Sequence, residues 1–261
     1  MSSTERAVES NGVGTITLNR PEQRNAFDDA MVAELTAAFT DFGADASVRV
    51  VVLRGMGTVF SAGADLEWMR RMADYSREEN LADALRLQAL FQTIDECPKV
   101  TVAEVQGAAM GGALGLISAC DYAVGAEDCV FAFSEVRLGL APATIAPFVL
   151  RRTGGRARAW MVTGRKFPAE AALRVGLLDE VAAPDRLYNA AYEAAAEFAR
   201  AAPGAVAATK KLLRELADMD RGAVAQHTAE CIADLRVSPE GQEGLRAFLE
   251  KRPPRFDGLQ R

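Results

Sequence analysis

Val100-Thr101-Val102-Ala103-Glu104-Val105-Gln106-Gly107-Ala108-Ala109-Met110-Gly111-Gly112-Ala113 is the stretch whose reading decides the fold. Its first six residues are a largely apolar run rich in valine, the pattern of a strand buried on both faces. Gly107 to Gly112 reads as a glycine-rich turn, and Ala113 to Cys120 as a short apolar helix. The same order occurs upstream. Val48 to Leu53 is a buried-strand run, the loop Phe60-Ser61-Ala62-Gly63-Ala64-Asp65-Leu66 follows, and Leu66 to about Ile94 reads as helix in more than one piece. Strand, glycine loop and helix in repetition predict an α/β fold with parallel pairing.

Working outward, Gly14 to Leu18 alternates as a strand does, and Asn19-Arg20-Pro21-Glu22 breaks it. Met31, Leu35 and Phe39 share one face of a helix predicted over Phe27 to Phe42. Tyr122 to Val124 and Val130 to Phe133 read as short strands. From Ala169 the strand signal fades. Leu187 to Arg200, Ala205 to Met219, Ala223 to Arg236 and Pro239 to Glu250 read as four helices, the last stopped by Pro253-Pro254. Stripes at Leu212, Leu213 and Leu216 and at Cys231, Ile232 and Leu235 hold more apolar surface than a lone helix buries. They predict packing on the core or on another subunit. The expected division is a core over residues 1–200 and a helical C-terminal region over residues 201–261.

Of 261 residues, 49% are apolar and 25% charged, which suits an ordinary globular chain. The net charge of -6 gives no electrostatic footprint for nucleic acid. No apolar stretch is long enough to span a bilayer. Met1 to Glu9 has neither the basic start and apolar core of a secretory signal nor the arginines of a transit peptide, so the expected location is cytoplasmic. Cys97, Cys120, Cys129 and Cys231 form no C-x-x-C pair and read as reduced thiols. His227, the single histidine, cannot supply a His-based metal centre and reads as a helix-surface residue. No metal and no redox cofactor is expected.

The two glycine loops each follow a buried strand and precede a helix, the edge at which open α/β sheets bind ligands. Glycine admits positive φ and close approach of backbone to a ligand. Free N–H groups from two loops can converge on one developing oxyanion, and Asp65 is placed to cap the helix after the first loop. Either loop alone is better explained as a tight turn with no ligand. Neither is a Walker A loop, and the dinucleotide fingerprint is missing.

Several motifs occur together, in order, from about residue 14 to 255. The first loop resembles F-x-A-G-A-D-[IL], and the second resembles G-x-[AC]-x-G-G-[GA]-x-x-L…C-D. Leu18-Asn19-Arg20-Pro21, then Asn25-Ala26 and Met31, resembles L-N-R-P…N-A…M. Ser134-Glu135-Val136-Arg137-Leu138-Gly139-Leu140-Ala141-Pro142 resembles P-E-x-x-x-G-x-x-P, and Ala247-Phe248-Leu249-Glu250-Lys251-Arg252 resembles A-F-L-E-K-R. All are motifs of the enoyl-CoA hydratase/isomerase (crotonase) family. The resemblance implies a crotonase-like spiral of ββα units with a helical C-terminal oligomerisation region, assembled as a homotrimer or a dimer of trimers. It implies an acyl-CoA thioester substrate whose carbonyl oxygen is held by the N–H groups of Ala64 and Gly112. It places the CoA near Arg24, Ala26, Ser61, Ala62, Asp65 and Leu66, with Phe248 and Lys251 reaching it from a neighbouring subunit. It places Trp68, Met69, Met72, Gly115 and Leu140 around the acyl chain. A plain core stripe competes for Trp68 and the methionines, and a solvated surface for Arg24 and Lys251.

Hydrating an enoyl thioester requires a carboxylate to take a proton from water and a proton to reach Cα. Family hydratases commonly use two glutamates. One is matched by Glu135; the other falls on Gly115. This departure implies a single-carboxylate mechanism with Glu135 as general acid and base, its pKa raised by apolar neighbours. The stretch Leu138 to Pro147 resembles hydratases acting on branched, carboxylated enoyl-CoAs such as methylglutaconyl-CoA. A Δ3-Δ2 enoyl-CoA isomerase, also served by one carboxylate, is the alternative. A non-catalytic acyl-CoA-binding protein is disfavoured by the intact loops and Glu135. Asp65 and Glu67 read as structural, while Arg70, Arg71 and Arg137 are candidate partners for a substrate carboxylate.

Overall fold

The computed structural model describes residues 2–256. The chain divides into two compact units, one running to Ala196 and the other beginning at Glu197.

The first unit begins with β1 (Thr4–Val8), β2 (Val13–Leu18) and helix α1 (Asp29–Ala44). β3 (Val50–Gly55) follows, then α2 (Leu66–Asp74) and α3 (Arg77–Glu96). Next come β4 (Val100–Val105), β5 (Ala108–Met110) and α4 (Ala113–Ala119). β6 (Tyr122–Ala126) and β7 (Val130–Ala132) lead through α5 (Ala146–Thr153) and α6 (Arg158–Thr163) to β8 (Phe167–Pro168). α7 (Ala169–Val175), β9 (Glu180–Ala182) and α8 (Leu187–Phe198) complete the series.

The strands form two sheets, ordered β1-β2-β3-β4-β6-β9 and β5-β7-β8. All pairs in the larger sheet are parallel except β1 with β2. Each turn therefore lays one strand in the large sheet and a short one beside it before its helix, as in β4-β5-α4 and β6-β7-α5. The small layer continues past β5 through two isolated parallel bridges, Ser61 with Ala109 and Phe27 with Ala64. The core lies between sheet and helices, where Leu18, Leu35, Phe39, Leu53 and Phe91 are fully buried.

Three local expectations change. The span from Gly107 to Gly112 is more than a turn: Ala108 to Met110 pair with β7, because the turn is stacked on its neighbour and its backbone finds a partner. β1 has no apolar alternation to announce it, since four of its five residues face outward on the sheet edge. β9 persists beyond Ala169, held by pairing with β6 rather than by its own sequence.

The second unit comprises the end of α8 with α9 (Pro203–Ala217), α10 (Arg221–Val237) and α11 (Pro239–Leu249). The Glu240 carboxylate accepts from the N–H groups of Gly204 (2.8 Å) and Ala205 (3.3 Å), satisfying free donors at the start of α9. Arg252 forks onto Glu243 at 2.6 and 3.0 Å and, with Arg255, holds that carboxyl at a pKa of about 2. α11 ends ahead of Pro253, where Lys251 turns left-handed (φ 54°). His227 packs Nε2 against Glu215 at 2.9 Å. Among the described residues no helix is long and apolar enough to cross a membrane.

Two side-chain amides pin the segment that leads into the first glycine loop. Asn25, fully buried and left-handed at φ 53°, donates Nδ2–H to the carbonyls of Met56 and Val59, both at 2.8 Å. Its Oδ1 accepts from the Arg20 N–H at 3.0 Å. Gln106 donates to the carbonyls of Gly55 (2.6 Å) and Gly57 (3.2 Å). Replacing Asn25 by Ala orphans these groups and leaves alanine at positive φ. Asn25→Ala is expected to cost about 2–4 kcal/mol, read as a lowered denaturation midpoint at unchanged slope; a midpoint equal to wild type would show that the latch carries no stability.

Candidate active site

The site grows from the stacking of three chain segments in the small layer. Phe27 donates its N–H to Gly63 O at 2.9 Å and accepts from the Asp65 N–H at 3.0 Å. With residues 63 and 65 both bonded to that side, the N–H of Ala64 between them points to the opposite edge. Next in the stack, Met110 donates to Ser61 O (3.1 Å), and Gly111 donates to Ala132 O (2.9 Å). The Gly112 N–H then opens α4. Among the described residues neither the Ala64 N–H nor the Gly112 N–H meets a protein acceptor. The two loops touch at Gly63, where a Cβ would lie 2.7 Å from Met110 O; the position also has φ 89°, so only glycine fits.

Arg20 holds the first loop from beneath. It donates to Ala26 O (2.8 Å), Asp28 (3.0 Å) and Asp65 (3.0 Å). Asp65 also caps α2, accepting from the N–H groups of Glu67 (2.8 Å) and Trp68 (3.2 Å). Ser61 is fully buried; its hydroxyl donates to Asn25 O (2.8 Å) and accepts from the Gly63 N–H (3.1 Å). The structure thus engages Asp65 and Ser61 in holding the loop. Arg20 and Gln106 were assigned no role from sequence; Arg20 sits in the Leu18–Pro21 motif, a signal that was present but silent about partners.

Glu135 opens a 3-10 turn (Glu135–Leu138) just after β7. Its carboxylate lies against Gly111: Oε1 is 3.4 Å, and Cδ 3.7 Å, from where a Gly111 Cβ would stand. Oε2 is buried and has no hydrogen-bond partner among the described residues. Burial raises the Glu135 pKa above the usual 4.5, partly offset by its own backbone N–H. A desolvated carboxylate with one unpartnered oxygen, beside the glycine that precedes the Gly112 N–H, has the chemistry of a proton acceptor.

Gly115 lies in α4 with its empty side filled. A Cβ there would meet Ile145 Cγ2 at 2.5 Å and Phe91 Cζ at 2.7 Å. The position occupied by a second glutamate in two-carboxylate hydratases is here closed by packing.

The other expected residues distribute as follows. Arg24 is exposed and left-handed at φ 53°, with its carbonyl accepting from the Ala62 N–H at 2.9 Å. Ala26 is buried, Ala62 half-buried and Leu66 exposed. Trp68 is only 3% exposed, packs against Phe27 at 6.2 Å between ring centroids, and leaves its indole N–H unpartnered among the described residues. Met69 and Met72 are half-buried, and Leu140 is exposed. Phe248 and Lys251 are exposed in the second unit. The candidate cations are committed elsewhere: Arg70 pairs with Glu67, Arg71 with Asp29 at 2.7 Å, and Arg137 Nε–H with Gly164 O at 2.9 Å.

Backbone donors without a protein acceptor at Ala64 and Gly112, and a carboxylate beside Gly111, on a spiral of ββα turns are features of the crotonase class of CoA-thioester enzymes. The sequence matches the family model described as Enoyl-CoA hydratase/isomerase over residues 8–260, and the chain belongs to that family. It is 36% identical over 247 residues to enoyl-CoA hydratase AKT6-1 of Alternaria alternata, covering 92% of this chain and 80% of that protein. An enoyl-CoA hydratase from Shewanella pealeana superposes with a TM-score of 0.93 at 41% identity, covering 97% of this chain and 95% of that one. One from Mycobacterium smegmatis gives 0.92 at 33% identity, covering 98% and 99%. The protein is thus an enzyme of this family, with the crotonase fold and an acyl-CoA thioester as substrate class.

Two outcomes follow from the packing. Gly115→Glu is expected to be destabilised by about 3 kcal/mol or more through overpacking, seen as loss of soluble protein or a lowered melting temperature; a variant as stable as wild type would show an opening the packing does not contain. For Glu135, a folded pKa above the unfolded one means that its contribution is complete at low pH and lost as pH rises through the folded value. Glu135→Gln is therefore expected to be more stable than wild type at pH 7, with the difference vanishing below the unfolded glutamate range. A variant less stable than wild type at pH 7 would contradict the unpaired burial of the carboxylate.

Proposed function

We propose that this protein is an enoyl-CoA hydratase that adds water across the α,β double bond of an enoyl-CoA thioester, with Glu135 as the sole acid and base. The observation that supports this most is the Glu135 carboxylate, buried beside Gly111 with one oxygen unpartnered, while packing closes position 115 to a second glutamate. In this reading the Ala64 and Gly112 N–H groups receive the thioester oxygen. Glu135 takes a proton from water as the water oxygen bonds to Cβ. The π electrons move onto the thioester oxygen as an enolate, and Glu135 returns the proton to Cα. The addition is redox-neutral and asks for no metal and no cofactor beyond the CoA of the substrate.

The acyl chain in this reading is a branched or carboxylated one. A carboxylated chain is the less favoured form, because Arg70, Arg71 and Arg137 each already serve a protein acceptor. Arg24, Ala62 and Leu66 line the CoA in this reading, with Ala26, Ser61 and Asp65 buried behind them holding the loop, and Met69, Met72 and Leu140 line the acyl side with Trp68 packed beneath. The second unit is read as the surface through which copies associate as a trimer or a dimer of trimers, which supports the placement of Phe248 and Lys251 against a neighbour's CoA. Leu213, Val237, Phe248 and Leu249 stand 65%, 78%, 83% and 78% exposed, more apolar surface than water favours. The expected location is cytoplasmic.

One observation favours a second reading. A single carboxylate suffices to carry a proton between Cα and Cγ, so a Δ3-Δ2 enoyl-CoA isomerase fits the same site.

Turnover of crotonyl-CoA, 3-methylglutaconyl-CoA and a 3-enoyl-CoA, followed by enoyl-thioester absorbance, separates the readings. Loss of absorbance with either conjugated substrate is expected, with Glu135→Gln at least 1,000-fold slower but binding CoA esters as wild type does. A gain of absorbance from the 3-enoyl-CoA alone would replace hydratase by isomerase, and full turnover in Glu135→Gln would remove the mechanism.

A further inference from the structure

Hydration needs the attacking water to be held as well as deprotonated. An acidic oxygen acceptor fixes one O–H of the water; a second acceptor is needed to aim its lone pair at Cβ. Two-carboxylate hydratases have a second group for this, and in this chain packing closes position 115. The space where a Gly111 side chain would begin has a second polar neighbour. Ser134 Oγ stands 3.4 Å from that point, the same distance as Glu135 Oε1. The two oxygens are thus no more than twice 3.4 Å apart, on the side of Gly111 where a side chain would begin, and among the described residues they do not hydrogen-bond to each other. Ser134 leads the 3-10 turn without capping it, and its hydroxyl has no protein partner among the described residues. Gly111, at φ 53° and without a side chain, immediately precedes the Gly112 N–H. The family motif quoted above has proline at this position, so the hydroxyl is a departure of this chain in the same site as the departure at Gly115.

We propose that Ser134 is a water-positioning residue, its hydroxyl and the Glu135 carboxylate together holding the attacking water beside Gly111. The proposal rests on the hydratase reading. The water donates one hydrogen to Glu135 Oε1 and the other to Ser134 Oγ, and the free lone pair faces Cβ. As the O–Cβ bond forms, Glu135 takes its hydrogen and Ser134 stays neutral. A water molecule with two or more polar partners is well held.

The test compares Ser134→Ala, Ser134→Pro and Ser134→Thr in the intact protein. Proline suits the backbone, since Ser134 has φ -78° and its N–H serves no acceptor among the described residues. The readouts are kcat and KM for hydration, and Glu135-dependent exchange of Cα hydrogens of a saturated acyl-CoA with deuterated solvent, which needs the oxyanion hole and the base but no attacking water. Ser134→Ala and Ser134→Pro are expected to lose about tenfold in kcat at unchanged KM, with exchange as in wild type, and Ser134→Thr to retain hydration. Unchanged hydration in Ser134→Ala and Ser134→Pro would overturn the proposal, and so would equal losses of hydration and exchange. A wild-type protein that isomerises a 3-enoyl-CoA and hydrates neither conjugated substrate would remove the hydratase reading together with it, whereas hydration at full rate in Ser134→Ala removes the proposal alone.

Discussion

The pair of hydrogen bonds that Phe27 makes to Gly63 O and from the Asp65 N–H is the constraint on which the site depends. In a parallel bridge the residue between two bonded neighbours must turn its own N–H the other way. Ala64 is that residue. Its donor is left unpaired by geometry, while the backbone around it is fully engaged. An N–H in this position is pre-oriented, so no reorganisation is needed when charge develops on an oxygen placed before it. Arg20 makes the arrangement rigid, because one guanidinium ties Ala26, Asp28 and the Asp65 cap together. A lysine with a single charged tip could not reach three acceptors in fixed directions.

The same stacking explains why an unpaired carboxylate is tolerated. Burying Glu135 with Oε2 unpartnered costs stability. The surroundings are set independently of it: Phe131 and Phe133 are fully buried and stack on Phe167 at 5.6 and 5.8 Å. The short strand β7 is thereby fixed on both sides, by β5 and by this aromatic group, and the turn that begins at Glu135 cannot relax to give the carboxylate to solvent. Packing strength elsewhere in the first unit maintains a strained electrostatic environment at one point, which is where a base of raised pKa is useful.

Gly115 shows how one small residue can redirect a site. Phe91 and Ile145 fill the side of α4 from which another acid would project. Position 115 therefore presents an apolar surface and no carboxylate.

Much of this was legible in order along the chain. The alternation of valine-rich runs, glycine loops and apolar helices marked the α/β class, because burial leaves a direct mark on residue type, while the expectation of donors at Ala64 and Gly112 came from the resemblance of the two loops to family motifs. The absence of an acid at Gly115 was equally visible. Other features were decided only by tertiary structure. β1 and β9 exist because neighbouring strands offer their backbone groups, and neither has a side-chain pattern that would announce this. The roles of Arg20, Asn25 and Gln106 depend on carbonyls far away in sequence, and a hydrogen bond between distant residues leaves no local periodicity. The raised pKa of Glu135 and its place with Ser134 beside Gly111 depend on what the fold brings together there. The sequence by itself determined which residue types could do the chemistry; the stacking of the turns decided which of their atoms are left unpaired, since that depends on distances between segments that sequence order does not set.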